Sequence, residues 1–323
     1  MRVLDAYFNG AGSVTAENAW EHVYRCLLWM DQAAGLAHVY DSNHMQPGGV
    51  FHSRAVRFTD ELCKHWGLTR RQLASEIDCL FRGCVEEWQR HRHETPDPEL
   101  ENDLVTTLTQ LLRAEGLAPE RSETVARQME LLSRDFFTIG NKRKNALGEG
   151  FEDLLYMLLL RVSEIPADKV ALRQPVSKLP GFRKNPPRRA GVRAAREPHP
   201  DIAIIEDDIT HVITTAKWST RQDRETQFQA EYNSYRMNKT QSAELRFVLI
   251  TNEFDIARLD NIARAIPEGS GGYTFHQIVH VNPSLLTQMQ GDRIGAVGGW
   301  ITAGKITSLE AFLTEMRARF GNS

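Results

Sequence analysis

PDIAIIEDDITHVITTAKWSTRQDRETQFQAEYNSYR, residues 200–236, holds two strand-length runs followed by a charge-rich helix. Ile202-Ala203-Ile204-Ile205 is an apolar run after Asp201, Glu206-Asp207-Asp208 is a polar turn, and Ile209 to Ala216 is a second run rich in β-branched residues. Folding the chain back about Asp207-Asp208 sets Asp201 roughly opposite Thr215. The two-residue period of a strand then puts Thr215 and Lys217 on one face. An aspartate, a hydroxyl and a lysine therefore meet at the open end of a hairpin.

The residue types limit what such a site does. A carboxylate at a strand end is a hard oxygen ligand suited to Mg²⁺, which keeps several waters and takes one or two protein carboxylates. A lysine beside it orients a water or stabilises charge developing on a phosphate. Metal-assisted phosphodiester hydrolysis uses these parts. The plain alternative is a hairpin whose polar residues are simply solvated at its open end.

Pro200-Asp201 followed by Thr215-Ala216-Lys217 resembles the PD-(D/E)xK nuclease signature, with Thr215 where the second acid usually stands. The subgroup of type II restriction endonucleases that read sites built on CCGG shows a similar replacement and recovers the carboxylate from the following helix, fourteen positions after the lysine. Counting from Lys217 reaches Glu231. The same group reads its G·C pairs with an R-x-D-R motif four positions after the lysine, where this chain has Arg221-Gln222-Asp223-Arg224.

The resemblance implies a restriction-endonuclease-like α/β core, a mixed central sheet flanked by helices. It implies a Mg²⁺-dependent enzyme of a restriction–modification system that cuts double-stranded DNA at a palindrome with a CCGG core and leaves 5′ overhangs. Asp201 and Glu231 would hold Mg²⁺ with help from Glu152, Lys217 would position the attacking water, and Thr215 would hydrogen-bond among them. A palindrome is matched by two-fold protein symmetry, so a homodimer is the least assembly, and a tetramer is compatible. A core of CCNGG or CCWGG type, with an unread or flipped central base, is an alternative, as is an inactive sequence-specific DNA-binding protein.

Base reading by Arg221, Asp223 and Arg224 also has a physical basis. Arginine donates two hydrogen bonds to guanine O6 and N7, and a carboxylate accepts from cytosine N4. Arg224, Phe228 and Glu231 follow at helical spacing and share a face, so one helix would read bases at its start and reach the metal two turns later. A solvated, charge-rich helix is the simpler reading.

The whole chain has 323 residues and a formal net charge of −3, so no global positive field marks it as a DNA binder. The positive charge is local. Lys178, Arg183, Lys184, Arg188, Arg189, Arg193 and Arg196 occur with no acid until Glu197, among Pro180, Pro186 and Pro187. Such a basic loop, running straight into Asp201, is suited to clamping the phosphates of duplex DNA. Cys26, Cys63, Cys79 and Cys84 form no CxxC pair and read as reduced thiols. No apolar run approaches the roughly 20 residues that span a bilayer, and no signal peptide is expected. The expected partners are thus DNA and a second copy of the chain, with no membrane, in the cytoplasm of a bacterial or archaeal cell.

Residues 1–140 read as a helical accessory domain, with helices near 15–39, 55–67, 69–90, 98–115 and 119–136, and residues 141–323 as the catalytic and DNA-recognition domain. Around Gly67 the pattern resembles a helix-turn-helix, with Thr69 placed to cap the helix from Arg70. His91-Arg92-His93 reads as a solvated helix end. Asn141-Lys142-Arg143-Lys144-Asn145 is a basic linker. The run from Phe151 to Val162 is apolar around much of a helix and should be buried. In restriction nucleases the corresponding opening helix carries a glutamate facing the metal; Glu152 fits that pattern best, and Glu149, one turn earlier, also fits. Further strands are expected at Val170–Val176, Leu245–Thr251 and Ile278–Val281, with helices at Asp255–Ala265 and, behind a capping box at Thr307-Ser308-Leu309-Glu310, at Leu309–Phe320.

Overall fold

A computed structural model of the chain describes residues 2–34, 148–184, 197–220, 224–240, 244–267 and 272–322, with the positions 63–64, 66–69, 71–72, 110, 112–113, 118, 121 and 124–125. Two compact units divide the chain: Met1–Leu27 with Gly148–Ser323, and Leu28–Leu147. The first 27 residues thus belong with the C-terminal half, although sequence pattern grouped them with the accessory helices. Among the described residues no helix is long and apolar enough to cross a membrane.

The larger unit is an α/β structure. Helix α1 (Arg2–Gly10) and the part of α2 (Ala19–Ala34) up to Leu27 precede α3, residues 148–161. Strands β1 (Val170–Leu172), β2 (Ile202–Glu206) and β3 (Ile209–Lys217) follow, then α4 (Arg224–Asn238), β4 (Arg246–Thr251), α5 (Ile256–Arg264) and β5 (Gln277–His280). Helices α6 (Pro283–Gln290) and α7 (Gly295–Thr302), strand β6 (Ile306–Ser308) and α8 (Leu309–Phe320) complete it. The six strands form one sheet in chain order. β1, β2 and β3 are antiparallel neighbours, while β3, β4, β5 and β6 run parallel, so the sheet is mixed. Parallel neighbours need a crossover, and α4, α5 and the α6–α7 pair supply the three.

Both faces of the sheet are buried. Ala203, Ile213, Phe247, Leu249, Ile278 and Ile306 face one side and share a core with Phe228 and Tyr235 of α4, Leu259 and Ile262 of α5, Leu286 of α6 and Val297 of α7. The alternating residues Ile202, Ile204, Val212, Val248, Ile250 and Val279 point the other way and are equally buried. Helix α3 buries Phe151, Leu154, Leu155, Met157, Leu158 and Leu159, as its apolar circumference requires.

Several local expectations hold. Strand β4 and helix α5 lie within a residue or so of the expected bounds, and Asp255 caps α5 by accepting from the backbone of Ala257 and Arg258. Ser308 caps α8 by accepting from Ala311. β1 is shorter than the expected Val170–Val176, because Arg173 turns to φ +49° and Val176 lies in a 3₁₀ turn after Pro175. The first helix begins at Arg2, with 11–18 as a loop, and α2 begins at Ala19 rather than at residue 15.

In the smaller unit, Gly67 takes φ +65° and Leu68 N donates to Cys63 O at 2.8 Å, ending a helical turn. Thr69 N then donates to Gln72 Oε1 (2.8 Å) while Gln72 N donates to Thr69 Oγ1 (3.2 Å), a reciprocal cap. The helices expected on either side, His91-Arg92-His93 and the linker at 141–145 lie outside the described residues.

Candidate active site

The site depends on the register of one hairpin. Asp207 and Asp208 both take positive φ (+50° and +57°), the two-residue turn whose twist matches that of paired strands. Glu206 therefore pairs with Ile209, and a regular ladder would carry Asp201 opposite Thr214. A bulge between Ile204 and Ile205 shifts the pairing by one, to Ile204 with Val212 and Ile202 with Thr214. One residue of slip exchanges the two faces of a strand. Asp201 consequently meets Thr215, while Thr214 turns inward and donates its hydroxyl to Ile202 O.

Asp201 Oδ2 is the hub. It accepts from Ala216 N at 2.6 Å, Lys217 Nζ at 2.8 Å and Thr215 Oγ1 at 3.2 Å. Three donors on one oxygen hold the carboxylate rigidly. Among the described residues, Oδ1 accepts no hydrogen bond. Across from it α3 presents Glu152, with Oε1 3.9 Å from Lys217 Nζ. Glu152 Oε2 is held by Arg173 Nη1 at 3.0 Å, and Arg173 Nη2 donates to Asp153 Oδ1 at 2.5 Å. Of the two candidate glutamates, Glu152 thus reaches the lysine, whereas Glu149 is exposed and offers Arg173 its backbone carbonyl at 3.4 Å.

Burial, and secondly the charge of Asp201, push the Glu152 carboxyl up to about 7; Arg173 and Lys217 oppose that shift. The arrangement has the donor set Mg²⁺ takes: two carboxylates, each with one oxygen not hydrogen-bonded among the described residues, beside a lysine. No three His, Cys, Asp or Glu side chains among the described residues group as a metal cluster, so Glu231 is not drawn in as a third ligand here.

Glu231 lies on α4, where its Oε1 accepts from Gln227 Nε2 at 2.7 Å. Burial first, then the charges of Glu231 and Asp201, raise the phenol of Tyr235 one turn further on. The rotation of α4 is set by Phe228, whose ring meets Phe275 at 5.2 Å, and by Tyr235, whose ring meets Phe247 at 5.4 Å. Arg224 is the first residue of α4, and Arg221 and Asp223 lie outside the described residues.

The basic loop has a closed base. Ser177 N donates to Glu197 Oε1 at 2.7 Å and Val176 N to Pro198 O at 3.1 Å. Lys178, Arg183 and Lys184 are exposed; Arg188, Arg189, Arg193 and Arg196 fall outside the described residues.

Sequence reasoning missed Arg173, the residue that grips Glu152, because its partners lie 20 or more positions away and no local pattern ties them. It also missed Trp218, which packs edge-on between Tyr24 of α2 (5.9 Å) and Phe151 of α3 (5.6 Å) directly behind Lys217. Tyr24 further donates its hydroxyl to Asn252 Oδ1 at 2.8 Å, which ties α2 to the end of β4. An aromatic directly after the lysine was the available signal for this wedge. Cys26 and Cys63 are both buried, and Cys26 is a free thiol. Compared with known proteins, the chain matches no family model and no curated protein.

Proposed function

We propose that this chain is a Mg²⁺-dependent type II restriction endonuclease with a PD-(D/E)xK core. It hydrolyses phosphodiester bonds of duplex DNA at a palindrome with a CCGG core. The observation that carries the reading is the meeting of Asp201, Thr215, Lys217 and Glu152 at the end of one hairpin, each from the position that the nuclease resemblance assigns. The order of elements around it, a helix, three antiparallel strands, a crossover helix and a parallel strand, supports the finer fold assignment.

Asp201 and Glu152 would hold the cation through Oδ1 and Oε1. When bound there, Mg²⁺ would supply Lewis-acid chemistry for phosphodiester hydrolysis. Lys217, hydrogen-bonded to Asp201, orients the attacking water and stabilises the phosphorane-like charge. Thr215 holds Asp201 in place where relatives of this fold would put an acid. Glu231, on α4, would serve as the third carboxylate. Arg221, Asp223 and Arg224 read the G·C pairs from the major groove. Lys178, Arg183, Lys184, Arg188, Arg189, Arg193 and Arg196 bind the backbone, giving a salt-dependent affinity. A homodimer, or a tetramer built from two, matches the two-fold site.

Digestion of unmethylated phage DNA with Mg²⁺, followed by run-off sequencing of the ends, tests this. Discrete fragments ending in a common G·C-centred palindrome are expected, and Glu231→Ala should lower the rate by about 10²-fold or more. A smear would indicate a nuclease without base readout. Tight binding in Ca²⁺ with no cleavage in Mg²⁺ would indicate an inactive DNA-binding protein.

A further inference from the structure

Arg173 stands just beyond β1 with φ +49°, in the left-handed region that favours glycine. A non-glycine residue persists there only when its surroundings over-determine it. The surroundings are specific. Its backbone N–H donates to the carbonyl of Asp201 at 2.9 Å, while its guanidinium spans Glu152 Oε2 (3.0 Å) and Asp153 Oδ1 (2.5 Å) and reaches Glu149 O (3.4 Å). One residue therefore holds the main chain of the first carboxylate and the side chain of the second. The planar fork of arginine meets three acceptors at once, which a lysine ammonium matches poorly in geometry.

We infer that Arg173 is a positioning residue that sets the separation of Asp201 and Glu152 and, by occupying Glu152 Oε2, presents Oε1 to a divalent cation. The inference rests on the nuclease reading above. It assigns the strained backbone a purpose: the left-handed turn aims the guanidinium back at α3, while the N–H stays on Asp201. A glycine would take the turn without strain, yet leave Glu152 unheld.

The test uses the full chain, freed of metal, as wild type, Arg173→Gly and Arg173→Lys. Mn²⁺ binding is titrated by electron paramagnetic resonance, thermal midpoints are recorded, and cleavage is measured across Mg²⁺ concentration. Arg173→Gly should weaken Mn²⁺ binding by about 10-fold or more, the usual scale for a residue that orients a ligand. Its thermal midpoint should be unchanged or higher. The Mg²⁺ concentration for half-maximal cleavage should rise in parallel, with part of the rate recovered at saturation. Arg173→Lys should fall between the two.

Mn²⁺ affinity and Mg²⁺ dependence within about twofold of wild type in both variants would overturn the inference and leave the nuclease reading standing. A lowered thermal midpoint with unchanged metal affinity would make Arg173 structural, which also overturns it. If Arg173→Gly failed to fold, Arg173→Lys would decide by the same criteria. Wild-type protein that neither binds Mn²⁺ nor cleaves would overturn both readings together.

Discussion

Two glutamates are buried to nearly the same degree, Glu152 at 7% exposure and Glu253 at 5%, near the ends of adjacent strands β3 and β4. Their surroundings differ in kind. Glu253 is fully committed: Oε2 accepts from Thr220 N (2.8 Å) and Thr220 Oγ1 (3.2 Å), with Arg258 Nη1 at 3.5 Å, and Oε1 accepts from Asp255 N (2.8 Å). Its carbonyl meets His280 Nε2 at 3.0 Å, while Asn282 N donates to His280 Nδ1, so the neutral ring carries its proton on Nε2. Glu152 has one oxygen gripped by Arg173 and another with no hydrogen bond among the described residues, and it faces a second carboxylate. Burial alone does not set a candidate site acid apart. What marks it is a costly charge left partly unsatisfied beside another of the same sign.

This contrast is most sharply tested by truncation. Glu253→Ala should cost about 3 kcal/mol in urea denaturation of the metal-free protein, since it leaves the Thr220 and Asp255 donors without their acceptor and removes the carboxylate beside Arg258, whose Nη1 keeps Thr220 O. Glu152→Ala should cost less than about 1 kcal/mol, because the lost Arg173 contact is offset by relief of repulsion with Asp201. Equal losses at the two positions would erase the distinction between them.

A second effect concerns pH. The carboxyl of Glu152 is raised from 4.5 to about 7 in the folded protein, so the folded state holds this proton more tightly than the unfolded chain. The metal-free protein should lose stability as pH rises from about 4.5 to about 7, and Glu152→Gln should flatten that segment of the profile. Thermal melts across the window, with and without Mn²⁺, measure it. The cation should reverse the slope, because it binds the deprotonated form. A slope that survives Glu152→Gln would assign the proton to another group.

The smallest effect lies in the turn that sets the register. Asp208→Gly relieves a residue held at φ +57° and should stabilise by about 0.5 kcal/mol, the gain being reduced by the greater freedom of glycine in the unfolded chain. Mn²⁺ binding should be unaffected, since the bulge between Ile204 and Ile205, not the identity of the turn residues, carries Asp201 to Thr215. Altered metal binding would show that turn and bulge are coupled.

Much of the molecule follows from short-range pattern. The two runs of the hairpin, the buried strand at Arg246–Thr251, the caps at Asp255 and Ser308 and the apolar helix that carries Glu152 are all local signals, because a strand repeats every two residues and a cap acts within three. Helices α6 and α7 and strand β6 went unanticipated, although Asn282 with Pro283 behind it is a helix-start signal and caps α6. β6 is three residues long, too short for periodicity to register.

By itself the sequence determined which residues could form a site: Asp201, Thr215 and Lys217 on one hairpin, Glu152 on one helix, and a basic loop between them. The spacing along a strand and around a helix is local physics, and it is written in the chain. Only the tertiary structure decided that Glu152 rather than Glu149 faces Lys217, that a one-residue bulge selects Thr215 over Thr214, and that Arg173 holds both carboxylate-bearing segments. Those choices join positions 14 to more than 60 residues apart. They depend on register, on helix rotation and on which charges share a buried space, and none of these has a local signature.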